Sequence, residues 1–251
     1  MMETANNTLG EEFSAFLSKK LNKKFKLLSI QRIFGGASRE TYRVKLQDEE
    51  KKSENFIYRR SQNSSLIETD QKTEYLAYSD FQETEVPVPK LFVLEDSAKP
   101  LGAPFLVMEE LPGTVASPFD KEAYTPNQAD LGKKFWKILG KIASHDLTKS
   151  KLNENSAKKN LKDCWRQELE YWVSVIRKDS LGIEPILEAA IRELFRSKPL
   201  PASRLSIVHG DYRNGNFLFA GKDITGILDW EMAHIGDPIE DLGWALSEIW
   251  C

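Results

Sequence analysis

Residues 206–231, "SIVHGDYRNGNFLFAGKDITGILDWE", set Asp211, Asn214, Asn216, Asp229 and Glu231 among apolar runs of the kind a folded protein places inside. Oxygen-bearing side chains between buried strands are costly unless something partners them. The segment "SIVHGDYRNGNFLF" joins two apolar runs across a polar turn, which predicts a short hairpin at a sheet edge capped by residues 211–216. The segment "DITGILDW" predicts a further strand that ends at Asp229. Asp211, Asn216 and Asp229 then stand on neighbouring loop ends and face one point. A few hard oxygen ligands, with positions left for phosphate and water, suit Mg²⁺. A nearby carboxylate can take a proton from a hydroxyl, and phosphoryl transfer needs both features. Turn formation is the competing explanation, because Asn214-Gly215 is a strong hairpin signal by itself.

Working outward, the chain has 251 residues, 41% of them hydrophobic, enough to bury a large domain or two lobes. Its 35 basic and 38 acidic side chains leave a net charge of -3, which gives no footprint for nucleic acid or an anionic membrane. Cys164 and Cys251 fit no metal or redox spacing. The first residues are polar and no run reaches membrane-spanning length, so the expectation is a cytoplasmic protein with free thiols.

Residues 1 to about 9 read as disordered, and Phe13, Phe16, Leu17 and Leu21 then recur at helical spacing. Strand-like runs follow in "KLLSIQRIF", "RETYRVKL", "NFIYRRSQ" and "APFLVMEEL", with a helix in "SLIETDQKTEYLAYSDFQ". From about residue 117 to 199 the apolar period is helical, interrupted by "TKSKLNENSAKKN", which reads as a polar loop. A strand-rich lobe followed by a helix-rich lobe is an α+β pattern with a cleft between them and a hinge near Leu111 to Gly113. The expected lobes are residues 1–112 and 113–251.

His209, Asp211 and Asn216 reproduce the kinase catalytic-loop spacing, and Asp229 lies where the Asp of the D-F-G element belongs. "VHGDYRNGN" with "ILDWE" resembles the aminoglycoside phosphotransferase and choline kinase-like family. The flanks "AHIGDPIEDLGW" and "PFLVMEELPG" resemble the branch associated with acyl-CoA dehydrogenases. The resemblance implies a protein-kinase-like two-lobed fold. It also implies Asp211 as catalytic base, Asn216 and Asp229 as Mg²⁺ ligands, and ATP or GTP as co-substrate. In "FGGASRETY", Gly35, Gly36 and Ser38 resemble a phosphate-covering loop. Period-2 alternation puts Ile57 and Arg59 on one strand face and Tyr58 and Arg60 on the other, and Arg59 is the residue expected at the phosphates. Glu74 is its expected helical partner. Met108, Glu109 and Leu111 resemble the segment that binds a purine, with Leu218 as the floor of the pocket.

His209 and Asp241 are expected to support the catalytic loop, and His145 and His234 to be ordinary loop or core residues. "GDPIE" carries a capping box from Asp237 to Glu240 ahead of a helix. The expected activity is Mg²⁺-dependent transfer of a γ-phosphoryl group to a hydroxyl of a small molecule. The alternative is a non-catalytic nucleotide-binding or interaction module of the same fold. The chain stops ten residues after Asp241, where the family normally continues. That leads to the expectation of an incomplete C-lobe and of self-association through the apolar helix ending in Ile249 and Trp250.

Overall fold

A computed structural model describes residues 2–33, 39–61, 71–117, 119–120 and 122–249, with side chains from residue 7 onward. The first lobe is an antiparallel sheet built from β1 (Phe25–Ile33), β2 (Arg39–Asp48), β3 (Ser53–Ser61), β4 (Leu91–Glu95) and β5 (Phe105–Glu109), in the order β1-β2-β3-β5-β4. Helix α1 (Met2–Leu21) lies on one face, and α2 (Gln71–Phe81) follows β3 in the chain. Strand alternation sends Phe56, Tyr58, Phe105 and Val107 toward Phe13 and Leu17 of α1. Leu106 and Met108 point the other way, into a second core with Tyr78 and Phe81 of α2. Ile57 and Arg59 share that second face and line the cleft between the lobes.

The second lobe contains α3 (Gln128–Ala143), α4 (Lys151–Asn155), α5 (Cys164–Asp179) and α6 (Pro185–Arg196). It continues with β6 (Ser206–Val208), β7 (Phe217–Ala220), β8 (Asp223–Ile227), β9 (His234–Gly236) and α7 (Ile239–Ala245). Among the described residues, no helix is long and apolar enough to cross a membrane. Gly113 sits at the junction with φ +119°, and a Cβ there would lie 2.7 Å from the Phe219 carbonyl. Its neighbour Thr114 exchanges two backbone hydrogen bonds of 3.0 Å with Phe219, so the junction is sewn onto β7.

Three expectations are corrected. Helix α1 begins at Met2 instead of after a disordered stretch, because once Phe13 and Leu17 are buried, extending the helix through polar residues costs little. The "polar loop" contains α4. Asp80 of α2 accepts from Ser150 Oγ, Lys151 N and Leu152 N, and so caps α4 from 70 residues away. Residues 206–220 form no hairpin: β6 pairs with β9, and β7 pairs with β8. The polar turn therefore bridges two small sheets, which frees its side chains from cross-strand pairing.

Candidate active site

The catalytic-loop segment leaves β6 at His209, which is fully buried. Its Nε2 donates to the Leu228 carbonyl at 2.9 Å, and its Nδ1 accepts from the Asp211 N–H at 3.2 Å. The ring packs on Trp230, with centroids 4.5 Å apart. Asp241 of α7 accepts from the backbone N–H of His209 at 2.7 Å and of Gly210 at 2.9 Å. Burial pushes the Asp241 carboxyl above its ordinary range, and the His209 ring and these two donors act against that rise. Gly210 has φ +85° and a Cβ there would collide with the Met232 carbonyl, so only glycine fits this turn.

Asp211 is thereby presented with its two oxygens in different surroundings. Oδ1 accepts from Arg213 Nε at 2.9 Å and from Trp244 Nε1 at 2.7 Å. Oδ2 accepts from Asn216 Nδ2 at 2.6 Å, and the same amide donates to the Asp211 carbonyl at 2.9 Å. With its amide nitrogen committed to Asp211, Asn216 keeps its oxygen for another ligand. Arg213 and Trp244 were not singled out in the sequence. Arg213 had a weak signal in its position two residues after Asp211. The signal of Trp244, an aromatic residue on a short helix, was indistinguishable from packing.

Asp229 adopts a left-handed conformation (φ 68°, ψ 52°) just after β8. Its N–H donates to the Tyr78 hydroxyl at 3.2 Å, while Leu228 N donates to the Asn216 carbonyl at 2.9 Å, tying the two metal-ligand candidates to one frame. Across the cleft, Arg59 Nη2 donates to Asp229 Oδ1 at 2.9 Å and Nη1 lies 2.8 Å from Glu74 Oε1. Burial works against a charged Arg59, but Glu74 and Asp229 outweigh it and raise its pKa. Burial likewise works to raise Asp229, and Arg59 reverses the effect, holding the carboxyl below its ordinary value. Glu74 is fully buried behind Arg59 and acts through it.

Arg59, Asn216 and Asp229 line a cleft of about 560 Å³ together with Met108, Glu109, Leu111 and Leu218. Leu111 and Leu218 close over Gly226, where a Cβ would stand 2.5 Å from one and 3.5 Å from the other. That apolar slot at one end and the oxygen donors at the other suit a purine and its phosphates. The hard-oxygen donor set of Asn216 and Asp229, both open to the cleft, fits Mg²⁺. Gly35, Gly36, Ser38 and Trp250 lie outside the described residues.

A second cavity, about 610 Å³, is lined by Gly210 and Trp244, with walls from α5, β9 and α7. His234, expected to be an ordinary loop or core residue, stands in that wall with two carboxylate neighbours. Its Nε2 is 2.9 Å from Glu240 Oε2 and 3.4 Å from Glu168, which also meets Lys159 at 3.0 Å. His145 packs against Phe81, with centroids 5.0 Å apart.

The sequence pattern of the "Phosphotransferase enzyme family" matches residues 29–251. Acyl-CoA dehydrogenase family member 10 of Mus musculus is 25% identical over 215 residues, covering 84% of this chain and 19% of that protein. Viomycin phosphotransferase of Streptomyces vinaceus is 27% identical over 150 residues, 55% of this chain and 48% of that protein. Among solved structures, a Ralstonia eutropha JMP134 protein assigned to the aminoglycoside phosphotransferases aligns with a TM-score of 0.72 at 22% identity. That alignment covers 94% of this chain and 68% of the other. The streptomycin-ATP-APH(2")-IIa ternary complex aligns at 0.61 and 20% identity, over 92% of this chain and 73% of that one. The fold is therefore the two-lobed, kinase-like α+β fold of these enzymes.

Proposed function

The chain belongs to this phosphotransferase enzyme family, and from that premise we propose that it transfers the γ-phosphoryl group of ATP or GTP to a hydroxyl of a small molecule. The observation that carries the reading is Asp211 held beside Asn216, with Asp229 facing Arg59 across a cleft that ends in an apolar slot. The purine would lie among Met108, Glu109, Leu111 and Leu218, with its phosphates toward Arg59. Asn216 and Asp229 would hold Mg²⁺, which supplies positive charge against the phosphates when bound. Asp211 orients the acceptor hydroxyl and takes its proton at Oδ2, where one amide donor leaves lone-pair capacity. The second cavity, on the Trp244 side of Asp211, is the natural seat for the acceptor. Pro112 and Gly113 would mark the boundary between a nucleotide-binding and a catalytic lobe.

The two carboxylates should separate on substitution. Asp211→Asn should keep Mg-ATP affinity and lower transfer by about 10³-fold, as expected for losing a positioned base. Asp229→Asn should weaken Mg-ATP binding itself by about tenfold or more, since a charge-assisted ligand is lost. Calorimetric titration and a phosphate-transfer assay over a panel of hydroxylated metabolites measure both. Unchanged Mg-ATP affinity in Asp229→Asn would overturn the metal assignment. Nucleotide binding without transfer to any acceptor would favour the non-catalytic module.

A further inference from the structure

Trp244 lies 33 residues beyond Asp211, and its indole reaches back to it. The Nε1–H donates to Asp211 Oδ1 at 2.7 Å, beside Arg213 Nε at 2.9 Å on the same oxygen. Oδ2 faces Asn216 Nδ2 at 2.6 Å. Arg213 and Asn216 belong to the same loop as Asp211 and move with it. Trp244 belongs to α7, so it ties the carboxylate to an element outside the loop.

The rest of α7 makes that tie firm. Asp241, three residues earlier and so on the same helical face, accepts from His209 N and Gly210 N at 2.7 and 2.9 Å. Glu240, next to it, bonds His234 at 2.9 Å. The helix therefore grips the catalytic loop twice, at the backbone ahead of Asp211 and at the Asp211 carboxylate. The terminal torsion of a carboxylate is soft, so without such a grip either oxygen can turn toward the acceptor. An indole has one N–H, no acceptor and no charge. It holds Oδ1 without adding a second positive charge to that of Arg213. Trp244 also lines the second cavity, the seat proposed for the acceptor.

We propose that Trp244 is a positioning residue for Asp211, its N–H holding Oδ1 so that Oδ2 meets the hydroxyl of the acceptor. The inference rests on the phosphotransferase reading. In the step it serves, the bond from the γ-phosphorus to the β,γ-bridging oxygen breaks and one to the acceptor oxygen forms. The hydroxyl proton goes to Asp211 Oδ2 and a nucleoside diphosphate leaves. A ring that only packed against the loop would act through its bulk, and its N–H would be dispensable.

Two substitutions separate donor from bulk. Trp244→Phe keeps a six-membered ring and removes the N–H. Trp244→His keeps a five-membered ring whose Nε2, like the indole Nε1, is two bonds from Cγ, and loses the bulk. Hydrolysis of Mg-ATP at pH 8, where an ordinary histidine is neutral, supplies the readout with water as the acceptor. Asp211→Asn first shows how much of that rate needs the base. Trp244→Phe should then lower kcat by about tenfold or more, the usual effect of losing a hydrogen bond to a charged group, with KM for Mg-ATP within about twofold. Trp244→His should stay within about threefold of the wild-type kcat. Wild-type kcat in Trp244→Phe, or an equal loss in both variants, overturns the role of Trp244. So does a loss that comes with an equal rise in KM, which marks a loosened loop. If only one variant folds, it decides alone: Trp244→Phe at the wild-type rate, or Trp244→His slowed tenfold, overturns the proposal. No slowing in Asp211→Asn, or no hydrolysis by the wild type, overturns the base assignment beneath it.

Discussion

Arg59 and Arg60 are adjacent in sequence and alike in chemistry, yet the pleat gives them opposite surroundings. Arg59 spans Glu74 and Asp229, while Arg60 Nε lies 3.6 Å from Glu40 on the other face. Removing Arg59 strands the fully buried Glu74 carboxylate, so Arg59→Ala should cost about 3–5 kcal/mol. Arg60→Ala should cost no more than about 1 kcal/mol. Urea unfolding measures both, and a larger loss for Arg60→Ala would mean the strand phase is reversed. At this scale much of the site was legible, because Asp211, Asn216 and Asp229 keep fixed spacings within 19 residues of chain. The bonds from Trp244 to Asp211 and from Tyr78 to Asp229 were not legible, since neither aromatic residue is near its partner in sequence.

Helix α7 connects the catalytic loop to the wall of the second cavity. Its predicted capping box forms only in part: the N-cap is Pro238, Asp237 N donates to Glu240 Oε1 at 2.9 Å as the box requires, but Asp237 Oδ1 accepts from Ile239 N at 3.1 Å, while Glu240 N bonds the Asp237 backbone carbonyl at 3.0 Å. The other Glu240 oxygen meets His234, which also faces Glu168 with Lys159 alongside. Burial opposes a charged His234, but the hydrogen bond to Glu240 and the charge of Glu168 outweigh it, so its pKa is raised. Burial also works to raise Glu240, and His234 reverses that, leaving it lowered. The raised histidine contributes stability fully below its unfolded pKa near 6.5, and loses it as pH rises through its folded value. The lowered glutamate contributes above its ordinary 4.5 and loses it as pH falls through its folded value. The pair should thus support α7 most between these limits. His234→Gln should flatten the alkaline decline in stability, seen as melting temperatures from pH 5 to 9. An unchanged decline would remove His234 from the account.

Across the whole molecule, Arg59 spans the cleft to Asp229 and Arg39 of β2 lies near Glu231 beyond β8, so two ion pairs link the lobes, while Trp230 is sealed between Phe81 at 4.8 Å and His209 at 4.5 Å. A ligand bridging the same lobes should stabilise the fold as a unit. Mg-ATP at a hundredfold excess over its Kd should add about 2.7 kcal/mol, shown by a single cooperative melt moving to higher temperature. A melt unmoved by saturating Mg-ATP would leave the cleft without its proposed ligand. The sequence by itself determined the strand and helix periods, the phase of Arg59 and the spacing of the catalytic loop, because these depend on backbone geometry over a few residues. Only the tertiary structure decided that β6 pairs with β9, that Asp80 caps α4, that Trp244 reaches Asp211, and that His234 meets Glu240 and Glu168. Each of those choices is made by a partner distant in the chain, where burial strengthens a hydrogen bond or ion pair that no local pattern records.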